Sequence, residues 1–320
     1  MRPVAIIGAG LSGLLCAKML NECGLPVAVF EKSRGLGGRL ARRRHPWGNV
    51  DIGAPLLALT PEQLQYFPRD AISAQPYTTA QWRDDKLLPQ ATQTHYTAAG
   101  SNNRLCHALA DGIEVRRGQR VTAIHPTSTT LSLRDGKGED LGDFSAVILA
   151  TPAPQARDLL PTTSSLTIAE SPWQAGWTVI VQFDGAWAPS EIIDIESHAI
   201  LRRIVCLSSA PGRDHQHCYS IELTDDASHH FEQRSDNEII DRVMTELASI
   251  APTPPLLHSD IQRWRFARPE TAVISDSQRA DDSLKIALAG DYCVGGNAEG
   301  ALRSATFAVQ RVKQWLASAC

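Results

Sequence analysis

The 320-residue chain is short of aromatic side chains (6%), has three methionines, and carries little excess charge, with a net of −4 at neutral pH. That near balance gives no reason to expect nucleic acid or an anionic membrane as partner. No C-x-x-C pair occurs among Cys16, Cys23, Cys106, Cys206, Cys218, Cys293 and Cys320, and seven is an odd count. A chain of this length needs no covalent staples, so free thiols in a reducing compartment are expected. No apolar run reaches membrane-spanning length, and Met1-Arg2-Pro3 leads straight into an apolar strand with no room for a signal peptide. A cytoplasmic protein is therefore expected. Internal repeats, low-complexity tracts, a Walker loop and a G-x-S-x-G elbow are all missing. His215, His217, His229 and His230 have no carboxylate or cysteine at ligand spacing, so no metal is expected. Asp225-Asp226 and Asp281-Asp282 read as turn or surface pairs. What is present is ordinary for a globular chain, 43% apolar and 21% charged.

The first forty residues carry the strongest signal. Val4 to Ile7 is an apolar run of buried-strand length, followed at once by Gly8, Gly10 and Gly13. An amphipathic stretch with Leu14, Ala17 and Leu20 on one face then stops at Gly24. A second apolar run, Val27 to Phe30, ends in Glu31, eighteen residues after Gly13. In this order Gly8 makes the sharp turn, Gly10 lets a pyrophosphate approach the backbone, and Gly13 lets the helix pack on the sheet. The free N–H groups of the helix start, here those of Leu11 and Ser12, attract phosphate. Glu31 can accept from both ribose hydroxyls. A strand, glycine turn, helix, strand and acid in sequence specify dinucleotide binding.

The stretch Glu31-Lys32-Ser33-Arg34-Gly35-Leu36-Gly37-Gly38-Arg39 resembles the extended FAD fingerprint of the amine-oxidase-like flavoproteins. Within that superfamily the chain is most similar to the renalase-like proteins, especially the bacterial ones. The similarity rests on Asp51-Ile52-Gly53-Ala54, on Ala150-Thr151-Pro152-Ala153-Pro154-Gln155-Ala156, on Trp264-Arg265-Phe266-Ala267-Arg268-Pro269, and on Gly290-Asp291-Tyr292-Cys293 with Glu299-Gly300-Ala301. The resemblance implies non-covalent FAD. Gly38 and Arg39 would close over the pyrophosphate, and the rest of the basic run, Arg42, Arg43 and Arg44, is either a further phosphate contact or a solvated loop. It also implies that Gly53 and Ala54 lie near the flavin, that the backbone of Val121 holds the adenine, and that Gly290 and Asp291 contact the ribityl chain. The helix opened by Glu299, Gly300 and Ala301 would face the flavin ring. Trp264 is a candidate to line the pocket, with Arg268 behind it. No acid or base is assigned, because flavin N5 itself accepts the hydride. One departure stands out: renalase-like proteins continue after Ala54 with a glutamine and an aromatic residue, and this chain has Pro55-Leu56-Leu57.

The remaining elements are coarser. Thr60-Pro61-Glu62 predicts a capped short helix, Arg83-Asp84-Asp85-Lys86 a hairpin turn, and Gly100 to Ala110 a helix capped by Ser101 or Asn102. β signals run from Ile113 to Ala150, with Phe144 to Ala150 as one final strand and Asp135-Gly136-Lys137-Gly138 as a turn. Trp177 to Phe183 and Cys218 to Leu223 alternate like antiparallel strands, and Asp236 to Ile250 is an amphipathic helix. The expected fold is α/β: a Rossmann-like FAD-binding domain with a mostly parallel central sheet (1–60, 98–155 and 280–320) and a smaller substrate domain with an antiparallel sheet (61–97 and 156–279). The expected activity is that of an FAD-dependent oxidoreductase, a renalase-like oxidase. Its donor would be a small molecule, among them a dihydro isomer of NAD(P)H, and molecular oxygen would reoxidise the flavin. The alternatives are an amine-oxidase-like enzyme on another small substrate, a non-catalytic FAD-containing partner protein, and an NAD-dependent dehydrogenase. A monomer or homodimer is expected.

Overall fold

The structure is a computed structural model and describes residues 1–168, 173–188, 190–269 and 278–317. Its central sheet has six strands in the order β17-β18-β11-β1-β2-β7. These are β1 (Val4–Ile7), β2 (Val27–Glu31), β7 (Val115–Arg117), β11 (Ala146–Leu149), β17 (Ala280–Asp281) and β18 (Ile286–Leu288). All neighbours run parallel except the β17–β18 edge pair. The continuous apolar run of β1 is explained by burial on both faces. Val4 and Ile6 pack with helices α1 (Leu11–Glu22) and α6 (Ala298–Ala317). Ala5 and Ile7 pack on the opposite face, with helix α3 (Ala153–Leu159) and a three-stranded antiparallel sheet. That small sheet consists of β8 (Val121–Pro126), β9 (Leu131–Asp135) and β10 (Asp140–Phe144).

One boundary differs from the expectation. Phe144 to Ala150 is not a single strand: Phe144 closes β10, and Ser145 lies between it and β11. Both pieces are apolar, so periodicity could not see the break. What divides them is pairing, since Phe144 pairs with Leu131 and Ala146 with Val4.

A second sheet of seven strands runs β16-β12-β15-β14-β13-β5-β6. Its members are β5 (Ser73–Arg83), β6 (Lys86–Thr97), β12 (Trp173–Phe183), β13 (Ile192–Ile195), β14 (Leu201–Cys206), β15 (Cys218–Leu223) and β16 (Leu256–Pro269). It is antiparallel apart from β5 and β13. One face is covered by α4 (Asp225–His230) and α5 (Asp236–Ile250). Ile239, Val243 and Leu247 of α5 are fully buried there, each worth roughly 1.5–3 kcal/mol. The other face packs on the hairpin β3 (Arg42–His45) and β4 (Gly48–Asp51) through Val50, Ile180 and Cys218. The mixed α/β architecture with a Rossmann-like unit and separate antiparallel sheets agrees with the expected fold class. Six cysteines are free thiols, and Cys320 lies outside the described residues. No described helix is long and apolar enough to cross a membrane.

Candidate functional site

Residues of the three glycine-bearing motifs meet at the end of β1. Gly8 has φ +109, and a Cβ there would come within 2.7 Å of the Ala150 carbonyl oxygen, so the turn is open only to glycine. A Cβ on Gly13 would overlap the carbonyl oxygen of Gly8, which is the close helix–strand approach that the spacing predicts. Gly10 is different. It is the N-cap of α1, no protein atom would lie within 4 Å of a Cβ built on it, and no side chain caps the helix. The N–H groups of the first turn therefore face open space. Gly37 pairs with Gly10 as an isolated bridge and donates its N–H to Ala9 O at 2.9 Å. A Cβ on Gly38 would lie 3.5 Å from the Gly10 Cα. Two glycine backbones thus flank one space beside a helix N-terminus.

Charged groups surround it. Glu31 is 8% exposed and its two oxygens accept from Ala9 N (2.9 Å) and Ser33 N (2.7 Å). A carboxylate has about four lone-pair sites, so two remain for hydroxyl donors. Arg39 grips the buried Asp291 with both terminal nitrogens, at 2.7 and 2.6 Å, across 252 residues of sequence. It also donates to Ala267 O at 3.3 Å, and its guanidinium lies 5.5 Å from the Trp173 ring. Of five N–H donors, three are used and two have no partner among the described residues. Asp291 follows β18, and a Cβ on Gly300 would overlap the Val294 carbonyl oxygen, so glycine lets α6 start directly on the Asp291–Val294 turn. Glu299 forms an ion pair with Arg303 at 3.6 Å and accepts through its backbone oxygen from Gln63. Gly53 and Ala54 lie against Arg39, with Ala54 N donating to Arg39 O at 2.9 Å. Thr151, just past β11, has a buried hydroxyl with no partner among the described residues.

The remaining predicted residues have other partners. Lys32 is exposed and reaches Gln155 on α3 at 3.3 Å. Val121 is buried in the core beneath the small sheet. Trp264 donates to the Thr178 hydroxyl at 3.2 Å and packs beside Ile52, next to the Gly53 turn. Arg268 is engaged by Asp225 at the start of α4 and by Glu222 on β15. Leu57 is in the main core and bridges Tyr96, while Leu56 packs near Tyr77. Both leucines after Ala54 are therefore taken up by packing.

Several contributors were not legible in the sequence. Asn102 occupies the N-cap position of α2 (Asn103–Leu109), but its side chain does not cap the helix. It accepts from Thr97 Oγ1 and Ala98 N and donates to Ala54 O and Pro55 O, clamping the turn. Asn103 donates to Leu36 O at 2.6 Å and braces the second glycine loop. Arg213 forms a buried pair with Asp51 at 2.6 Å, the side chains 2% and 1% exposed. Burial pushes the Asp51 carboxyl up from 3.8 to about 6, against the pull of Arg213, the Asn102 N–H and Arg42. Only the amide side chain of Asn102 had a local signal, its place ahead of a helix.

A family described as flavin containing amine oxidoreductase matches residues 60–313, and an NAD(P)-binding Rossmann-like domain matches residues 6–68. The N-terminal stretch is similar to a 4,4'-diapolycopen-4-al dehydrogenase of Metabacillus indicus, 44% identical over 61 residues, which is 19% of this chain and 12% of the relative. A zeta-carotene-forming phytoene desaturase of Myxococcus xanthus is 41% identical over 61 residues, with the same shares. Polyamine oxidase 7 of Oryza sativa subsp. japonica is 42% identical over 52 residues, 16% of this chain and 11% of the relative. The chain thus covers about an eighth of the length of these curated relatives. The crystal structure of a protoporphyrinogen oxidase-like protein from Exiguobacterium sp. 255-15 superposes with a TM-score of 0.80 over 98% of this chain and 99% of that one. At 13% identity, that likeness speaks to the fold. FAD held without a covalent bond is the cofactor these matches support. The open space at Gly10 and Gly38, the two spare Glu31 lone pairs and the orphaned Thr151 hydroxyl fit it. With the family matched over most of its length and the dinucleotide unit at its start, the chain belongs to the flavin containing amine oxidoreductase family.

Proposed function

We propose that the protein is an FAD-dependent oxidase of a small donor, within which the renalase-like reading is favoured by the motifs spread along the chain. The carrying observation is the bidentate Arg39–Asp291 pair, which joins the N-terminal and C-terminal motifs beside the open face of Gly10 and Gly38. FAD, when bound, would supply the two-electron acceptor for hydride from a C–H donor, and molecular oxygen, on receiving those two electrons with two protons, would leave as hydrogen peroxide. The chain's part is binding and orientation. Gly10 and Gly38 admit the pyrophosphate to the backbone, the α1 N-terminus and the two free Arg39 donors offset its charge, and Glu31 accepts from the ribose. Asp291 holds Arg39 in place and accepts from the ribityl chain. Gly53 and Ala54, fixed by Asn102 and by the Asp51–Arg213 pair, form the rigid wall near the ring. In this reading residues 1–60, 98–155 and 280–320 hold the cofactor, and residues 61–97 and 156–279 carry the substrate sheet. Val121 takes the adenine by its backbone, and Trp264 closes the pocket from the sheet side.

The test is an anaerobic absorbance titration of purified protein with borohydride-generated isomers of NAD(P)H and, separately, small amines. Rapid bleaching by the isomers is the expected outcome. Bleaching by amines alone would replace the donor and keep the oxidase. A flavin that stays oxidised with every donor would refute the oxidase reading in favour of a non-catalytic FAD protein, and colourless protein that takes up no FAD would refute the cofactor site.

A further inference from the structure

The arginine run after the cofactor motif divides its side chains between two faces, as strand alternation requires. Arg43 is used structurally, held by Asp260 and by Gln262 at 2.7 Å. Arg42 and Arg44 point the other way and have no hydrogen bond or ion pair to any described residue. They border a cavity of about 470 Å³ whose opposite wall is Arg104 and His107, three residues apart on α2. Three guanidinium groups thus border a space lined by one carboxylate, Asp214, whose two oxygens already accept from Asn49, at 3.0 and 2.8 Å; Arg42 also acts electrostatically on buried Asp51, which Arg213 pairs. Arg104 spends one donor on Ala99 O and keeps the rest. The lining includes two glycines in left-handed conformation, Gly100 (φ +79) and Gly212 (φ +66), with Gly100 N bonded to Pro211 O at 2.9 Å. No side chain grows from them into the space. The loop is also anchored: Arg213, between Gly212 and Asp214, is the residue locked to buried Asp51. One wall of the cavity is thus fixed, and its lining is short of negative charge.

We propose that this cavity binds a small phosphate-bearing anion, at a site separate from the cofactor. Guanidinium groups match phosphate oxygens in pairs, and three of them converge here. An extended polyanion would instead need a basic track, whereas these groups line one cavity from two chain segments, β3 and α2. His107 reports on the site. Burial holds its imidazole below the usual range, aided by Arg42, Arg117 and Arg44. A bound dianion would reverse that and raise it.

The experiment is calorimetric titration of the FAD-loaded full chain with inorganic phosphate and then pyrophosphate, at about 10 mM ionic strength so that screening is weak. The His107 ring resonances are followed against pH with and without the anion. Saturable binding is expected, with an upward shift of the His107 titration and about tenfold weaker binding for each of Arg42→Gln and Arg44→Gln. Arg34→Gln, on the exposed loop before Gly35, is expected to bind as the parent does. No saturable heat and no His107 shift with either anion would overturn the proposal. Equal weakening by Arg34→Gln would overturn it as unspecific charge attraction, as would selective binding of a single-stranded oligonucleotide with none of phosphate. Loss of flavin absorbance in Arg42→Gln or Arg44→Gln would place these arginines in the cofactor site and also overturn it.

Discussion

Replacing Gly10 by valine separates folding from cofactor binding. Gly10 has φ −83 and ψ −177, an extended conformation open to any residue, and a Cβ there meets no protein atom within 4 Å. Its cost to the fold is the poorer helix cap, about 1 kcal/mol. For FAD the added methyl groups would occupy the open space beside the α1 N-terminus. If two charge-assisted hydrogen bonds to the pyrophosphate are lost, at about 1.5–3 kcal/mol each, affinity drops by roughly 10²–10⁴-fold. The assay pairs flavin-to-protein absorbance of the purified variant with a denaturant melt of the cofactor-free parent and variant. The expected result is a colourless protein with a near-parental midpoint. Gly13→Val is the contrast: its Cβ would overlap Gly8 O, so it is expected to unfold. Stoichiometric FAD in Gly10→Val would refute the placement of the pyrophosphate. Unfolding of Gly10→Val to the extent of Gly13→Val would refute the claim that the space is open.

Two further outcomes follow from buried polar groups. The Thr151 hydroxyl has no partner among the described residues, so Thr151→Val is expected to leave the cofactor-free fold within about 1 kcal/mol of the parent or more stable, while weakening FAD. Clear destabilisation in the absence of FAD, or unchanged FAD affinity, would contradict that. Asp51, raised from 3.8 to about 6, is bound to its proton more tightly in the folded than in the unfolded chain. Its contribution to stability is therefore complete below pH 4 and is lost as pH rises through 6. Denaturant melts across pH 4 to about 7 should show the parent losing stability relative to Asp51→Asn, and parallel profiles would rule the effect out.

Local chemistry alone was enough to identify the nucleotide unit. Gly8, Gly13 and Glu31 act within a span of about two strands and one helix, and their demands on backbone conformation are written in residue type. The Thr60-Pro61 cap and the Asp84-Asp85 turn were legible for the same reason; both aspartates have positive φ, as a tight hairpin requires. The break at Ser145 was not, because apolar pattern marks burial and not the choice of partner strand. Nor was the use of Asn102, where a cap position and a tertiary clamp share one residue type.

What the sequence determined by itself, then, was the strand–turn–helix of the dinucleotide unit and the cofactor it resembles a site for, since these depend on neighbours in the chain. Only the tertiary structure decided which charges meet. Arg39 finds Asp291 across 252 residues and Arg213 finds Asp51 across 162. Arg42 and Arg44 were left to face Arg104 and His107 across a cavity. The reason is physical: a charged side chain looks alike in sequence whether it ends in solvent, in a buried pair or at the wall of a cavity, and the difference lies in the desolvation and partners that distant segments supply.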